Sequence, residues 1–195
     1  MPNLQLHQLR VAAVGKLICD NYNQQVNGRD VILACLFHDM GNIVKFKLDV
    51  FPEALQPEGL EYWEKQKAET IQKYGAKQHR VSETVAQELG LPDSVIHMIG
   101  TSGVSRLPEI LASDSNELKV LQYADLRVAP AGVVSLTERF EDFARRYPSD
   151  KDSDLFGKGK ELEGEIFACT SIKPEDINDT SVAPLIEELW EYPVS

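Results

Sequence analysis

After Asp30 the chain runs Val-Ile-Leu-Ala-Cys-Leu-Phe, seven residues with no polar side chain, and then meets the adjacent pair His38-Asp39. At helical spacing such a run is apolar on every side. The helix it forms, Val31 to Asp39, must therefore lie at the centre of whatever the chain folds into. Asn27-Gly28 breaks the chain before it, and Asp30 is positioned to cap it. The rest of the chain has to supply the cover.

The flanking segments also carry helical patterns. Leu4, Val11, Val14, Leu17 and Ile18 form one apolar stripe, with Lys16 and Asp20 off it. After Pro52 a Glu/Lys-rich stretch runs to Tyr74 and stops at Gly75, the pattern of a solvated amphipathic helix. Ala76 to Leu89 ends at Gly90 as at a C′ glycine, and Pro92-Asp93 restarts a short helix to Met98. Gly100 to Arg106 reads as loop. Ser113, Asp114 and Ser115 offer N-caps to a helix carrying Leu118, Leu121, Ala124 and Val128, ended by Pro130. Another helix spans Leu136 to Tyr147, and Pro148 stops it. Ser149 to Lys160 is polar and contains glycine, as a flexible joint would, and further helices follow, including Val182 to Trp190. No period-two alternation stands out. The expected fold class is all-α: a helical bundle over residues 1–148, then a polar joint and C-terminal helical extension over 149–195 that packs on it.

At 195 residues the chain suits one domain with a sizeable core. No run of eighteen apolar residues occurs, and Met1-Pro-Asn-Leu-Gln lacks the basic and apolar regions of a signal peptide. Cys19, Cys35 and Cys169 are widely spaced and fit no metal-finger pattern, so a reducing cytoplasm is the expected compartment. A net charge of -11 argues against a nucleic-acid polymer as partner, because such binding depends on neutralising phosphates. It leaves small anions in play, since a metal or a local group of cations can hold a phosphate inside an acidic protein. No membrane partner is expected, and self-association is left open.

The chemistry concentrates on histidine and aspartate. Adjacent side chains on a helix diverge by about 100°, so His38 and Asp39 can serve one ion only where the helix ends or the ion sits close to the backbone, and Gly41 permits such a local distortion. A hydrogen-bonded His-Asp pair that merely closes a helix is the competing structural reading. His7 lies in the first helix, with Arg10-Val11-Ala12 following. Asp125 lies in Tyr-Ala-Asp-Leu-Arg, among Leu121, Ala124 and Val128. A carboxylate in that company is expensive to desolvate unless a metal or a cation compensates. Arg127 or Arg10 could supply the cation.

The ordered set His7-Gln-Leu-Arg-Val-Ala, Leu-Phe-His38-Asp39-Met-Gly and Tyr-Ala-Asp125-Leu-Arg resembles the HD-domain metal-dependent phosphohydrolases, over roughly Leu4 to Tyr147. The resemblance implies an HD-type bundle in which His7, His38, Asp39 and Asp125 hold one divalent metal ion. Mn, Fe, Co, Ni, Zn and Mg all remain candidates. It also implies Asp39 as a catalytic residue and a small phosphorylated molecule as substrate, a nucleotide among the candidates. Arg10, i+3 from His7, Lys45 and His79 are the expected substrate contacts. The pattern departs from the family in two places. A second histidine of binuclear members would fall near Gly100, and His97 is offset from it by a turn, so a full two-metal site is not expected. Asn42 stands three residues past Asp39, where many relatives place Lys or Glu. Arg127 points away in an ideal helix and could pair with Glu138 or Asp142. A non-catalytic metal or ligand sensor and a purely structural helical domain are the alternative functions.

Overall fold

The computed structural model describes residues 2–49, 55–146 and 154–194. Among them are ten α-helices and one minimal β-hairpin. Helix α1 (Pro2–Asp20) and helix α2 (Gly28–Phe37) pack along each other at the centre. Val11, Ala12, Ala13 and Val14 of α1 and Val31, Leu33, Ala34 and Cys35 of α2 are fully buried. The buried face of α1 is wider than one stripe because three elements cover it: α2, α7 (Asn116–Leu126) and the last helix, α10 (Asp179–Leu189). Burying a Val or Leu side chain of this kind is worth about 1.5–3 kcal/mol, so this central packing contributes substantially to stability.

The all-round apolar run behaves as its composition requires, but its cap differs from expectation. Asn27, not Asp30, is the N-cap, and its side chain accepts from the Asp30 backbone N–H. Asp30 instead sits in the first turn, where its carboxylate accepts a hydrogen bond from Ser94 Oγ and favours the positive end of the helix dipole. Ser115 does cap α7, its Oγ accepting from Leu118 N at 3.1 Å. Helix α4 (Gln78–Glu88) closes as a Schellman turn, Leu91 N donating to Ala86 O and Gly90 N to Gln87 O, with Gly90 at φ +72.

Helix α3 (Leu60–Tyr74) has no fully buried residue, in keeping with its charged pattern; the start expected just after Pro52 falls on residues 52–54, outside the described residues. Helix α5 (Asp93–Thr101) extends past Met98 and takes in Gly100, and Val104–Arg106 forms a short 3-10 turn before α6 (Leu107–Leu111). Helix α7 stops at Leu126, before Pro130. The chain then forms strands β1 (Val128–Ala129) and β2 (Gly132–Val133), antiparallel with Val128 opposite Val133. Two-residue strands are too short to print a period-two pattern, so nothing in the sequence announces them.

Helix α8 (Leu136–Arg146) follows, then α9 (Leu155–Phe167). Helix α9 corrects the reading of Ser149 to Lys160 as a joint: residues 155–160 are helical, and 149–153 lie outside the described residues. Leu162 and Ile166 are fully buried on the side facing α6 and α7, and that burial outweighs the glycines in the segment. Arg127 ties these parts together. Its guanidinium donates to Val134 O, Tyr123 Oη, Pro174 O and Ile177 O, so it does not pair with Glu138 or Asp142. Three carbonyls and a hydroxyl satisfy a buried cation by hydrogen bonds alone.

Candidate metal centre

His7, His38, Asp39 and Asp125 meet at one point, where α1, the end of α2 and the end of α7 converge. His7 Nε2 lies 3.3 Å from Asp125 Oδ1 and 3.6 Å from Asp39 Oδ2. His38 Nε2 lies 3.5 Å from Asp125 Oδ1 and 3.7 Å from Asp39 Oδ1. The ligand atoms of His7, His38 and Asp39 fall within 4.8 Å of one another. Adjacent residues reach one centre because the helix ends between them. His38 is the α2 C-cap and still helical (φ -58, ψ -34), whereas Asp39 has left the helix (φ -103, ψ 13). A 3-10 turn, Met40–Val44, carries the chain away from the site.

The histidine nearest the core has its tautomer set. His38 Nδ1 lies 2.8 Å from Cys35 O. A carbonyl only accepts, so Nδ1 carries the hydrogen. In the neutral ring, Nε2 then offers a lone pair towards two carboxylates, which also offer only lone pairs. Among the described residues this buried Nε2 has no hydrogen-bond partner. Such a convergence is repulsive unless a cation lies within it, either a proton on the ring or a metal ion. The donor set therefore fits a divalent ion: two imidazoles and two carboxylates, with carbonyl support behind one imidazole. The Cys35 carbonyl was not anticipated. It could have been, because the last turn of a helix leaves carbonyls without helical partners and Cys35 stands three residues before His38.

The side chains of His7 and Asp39 are each 17% exposed and that of Asp125 22%, against 4% for His38, so the cluster opens on one side only. With no metal bound, burial pushes His38 down, but the charge on Asp39 and the Asp125 carboxylate outweigh it and raise it to about 9. Burial works to raise the Asp125 carboxyl, and the two imidazoles outweigh it and hold it well below its ordinary range. The stability consequence follows from the signs. The raised His38 contributes fully below its ordinary value of 6.5 and is lost as pH rises through about 9. The depressed Asp125 contributes above its ordinary value of 3.8 and is lost as pH falls. Metal-free protein is expected to melt highest between these limits and to lose on the order of 3 kcal/mol towards pH 9. A flat melting profile from pH 6 to pH 9 in chelator would contradict the arrangement.

The three expected substrate contacts fare differently. His79, on α4, is pushed down first by burial and then by Lys45 and Arg106, against Asp39 and Glu83. Lys45 and His79 thus share a neighbourhood with Asp39. Arg106, which the sequence reading left in a loop, joins them, its Nη1 donating to Gly100 O at 2.7 Å. Arg10 sits one turn beyond His7, and among the described residues no hydrogen bond or ion pair engages it. His97 is exposed on α5. At Gly100, where binuclear relatives are expected to carry a histidine, the space is taken by Glu83: a Cβ there would lie 1.8 Å from Glu83 Oε1. Asn42 is buried, and its Oδ1 has no partner among the described residues.

A family model described as HD domain matches residues 5–128, more than half of the chain and a span that includes all four converging side chains. The chain belongs to the HD-domain family. Members of this family are typically metal-dependent hydrolases, and the His/Asp cluster is a candidate metal site of the kind they use. Neither the curated proteins nor the solved structures offered a match. Among the described residues, no helix of this HD-domain protein is long and apolar enough to cross a membrane.

Proposed function

We propose that this HD-domain protein is a metal-dependent phosphohydrolase acting on a small phosphorylated substrate, a nucleotide among the candidates. One observation carries the reading: the His38 ring, with Nδ1 committed to Cys35 O, turns its Nε2 towards the carboxylates of Asp39 and Asp125. His7, His38, Asp39 and Asp125 would hold one divalent ion. When bound, that ion supplies Lewis acidity and a water of lowered pKa.

The remaining roles follow from charge and position. Asp39 acts both on the imidazole pair and on His79, so it is the carboxylate that borders substrate and ion alike. That makes it the residue suited to orient the attacking water and take its proton. Lys45 supplies positive charge for a phosphoryl oxygen. His79, with its pKa lowered, is neutral at pH 7 and would act as a hydrogen-bond partner to the substrate. Arg10 is the further contact on the His7 face of α1. A second reading, a metal or ligand sensor without turnover, draws support from buried, uncharged Asn42 at the position where relatives place a charge.

The deciding experiment is elemental analysis of the full chain purified without added metal or chelator, repeated after incubation with Mn²⁺, Co²⁺ or Ni²⁺. Phosphomonoesters, nucleotides and phosphodiesters are then screened for hydrolysis. About one equivalent of metal together with turnover is the expected result. Metal without turnover on any phosphoester favours the sensor. No metal under any of these conditions rejects the hydrolase and the metal sensor, and leaves a ligand sensor or a structural helical domain.

A further inference from the structure

Helix α8 holds a charged side chain that the roles above leave unused. The Arg139 side chain is 9% exposed, and its Nε and Nη1 are buried without a hydrogen-bond partner among the described residues. Its guanidinium rests on the Phe143 ring, 4.4 Å from the centroid, which holds the stem in place without using any N–H. The nearby carboxylate, Asp142, stands 3.6 Å from Nη1 and also serves Arg145 and Arg146. Burial disfavours the Arg139 charge, and besides Asp142 the carboxylates of Asp125 and Asp39 act to support it. The open donors therefore share a low-dielectric neighbourhood with the metal cluster, while no ion pair joins Arg139 directly to Asp125 or Asp39 among the described residues.

A buried guanidinium with open N–H groups is expensive to keep unless something accepts from it. Charge arithmetic indicates what that is. Two aspartates and a divalent ion sum to zero, and the two histidines are neutral when they ligate. A phosphoryl group approaching this centre meets no net attraction from it. Arg139 supplies the missing positive charge on the α8 side, and Lys45 supplies it near His79. The planar fork of arginine suits two phosphoryl oxygens.

We propose that Arg139 is an anion-binding residue of this site, holding a phosphoryl group against the metal-bearing cluster. The inference rests on the metal-dependent reading above, so the test separates the two. Mn²⁺ is titrated by calorimetry into the metal-free full chain as wild type, Arg139→Gln and Arg139→Lys. Inorganic phosphate is then titrated into each Mn-loaded protein. Arg139→Gln should bind Mn²⁺ as well as wild type or more tightly, because a cation beside the carboxylates has been removed. Its phosphate affinity should fall about ten- to a hundredfold, the range for losing a charged hydrogen-bonding partner. Arg139→Lys should lie between, since a shorter ammonium cannot span two oxygens.

Unchanged phosphate affinity in Mn-loaded Arg139→Gln overturns the assignment and leaves the metal reading intact. Failure of wild type to bind Mn²⁺ overturns both, and the first titration alone reveals it. If circular dichroism shows that Arg139→Gln does not fold, Arg139→Lys decides: weaker phosphate binding supports the role of the fork, and wild-type phosphate binding rejects it.

Discussion

Asp125→Ala is expected to remove metal binding by about a hundredfold or more and to abolish turnover, while leaving a folded protein. Asp125 Oδ1 is the one carboxylate oxygen within 3.5 Å of both imidazole nitrogens, so it joins the α1 and α2 halves of the cluster. Its removal leaves Asp39 as the sole carboxylate within 4 Å of the imidazole nitrogens among the described residues. His38 then loses one of the two carboxylates that hold its proton, and its raised pKa falls back. Two readouts follow, and they differ with pH. At pH 6 without metal, the variant should melt below wild type, because protonated His38 has lost a counter-charge. At pH 9 the difference should shrink, since wild-type His38 has by then given up the same interaction. Added Mn²⁺ should raise the melting temperature of wild type and not of the variant. A variant that keeps one equivalent of metal at wild-type affinity would remove Asp125 from the site.

The parts of this fold that were legible in the sequence are those whose causes are local. The Val31–Phe37 run could only be central, Ser113, Asp114 and Ser115 offered a helix start of which Ser115 is the cap used, and Gly90 marked a helix end. Each follows from a few neighbouring residues and one rule of backbone geometry. The convergence of His7, His38, Asp39 and Asp125 was legible in a different way. No local rule brings α1 to the end of α7; the ordered pattern of a known family suggested it, and the distances then gave it physical content. Features decided by packing were not legible. Arg127 was expected to seek a carboxylate, yet it satisfies itself on carbonyls, one nearby at Val134 and two in a segment far along the chain, Pro174 and Ile177. Ser149 to Lys160 read as a joint for its polar residues and glycines, although Leu162 and Ile166 make Leu155–Phe167 a core helix. Arg139 was passed over because nothing in Arg-Phe-Glu-Asp-Phe indicates that its guanidinium is buried and its donors open.

Gly41→Ala is the other substitution with a large expected effect, and here the sequence reading supplied the wrong reason for the glycine. Flexibility was expected of it, after the His-Asp pair. Its φ is not positive, so any residue could adopt its backbone. What glycine provides is room. A Cβ at position 41 would lie 2.1 Å from the carbonyl oxygen of Gln78 and 3.0 Å from its carbon, at the first turn of α4. Both obstacles are backbone, so no side chain can swing aside. The Gly41 N–H meanwhile donates to Ser82 Oγ at 2.9 Å, one turn further along the same helix, and that Oγ would also lie 3.0 Å from the added Cβ. An added methyl must push α4 off the turn that follows Asp39, which costs about 2–3 kcal/mol or more and should lower the melting temperature by roughly 6–10 °C in a chain of this size. Because α4 carries His79, substrate binding should suffer with it, and because the turn begins at Met40, metal affinity should fall less steeply than in Asp125→Ala. The contrasting substitution is Gly164→Ala in α9, where a Cβ meets nothing within 4 Å and φ is not positive. There the gain in helix propensity should stabilise the protein by about 0.5–1 kcal/mol. Opposite signs for two Gly→Ala changes, read in one melting experiment, would locate the requirement at Gly41 in the approach of α4. Equal small effects would mean that α4 does not sit against the His-Asp turn.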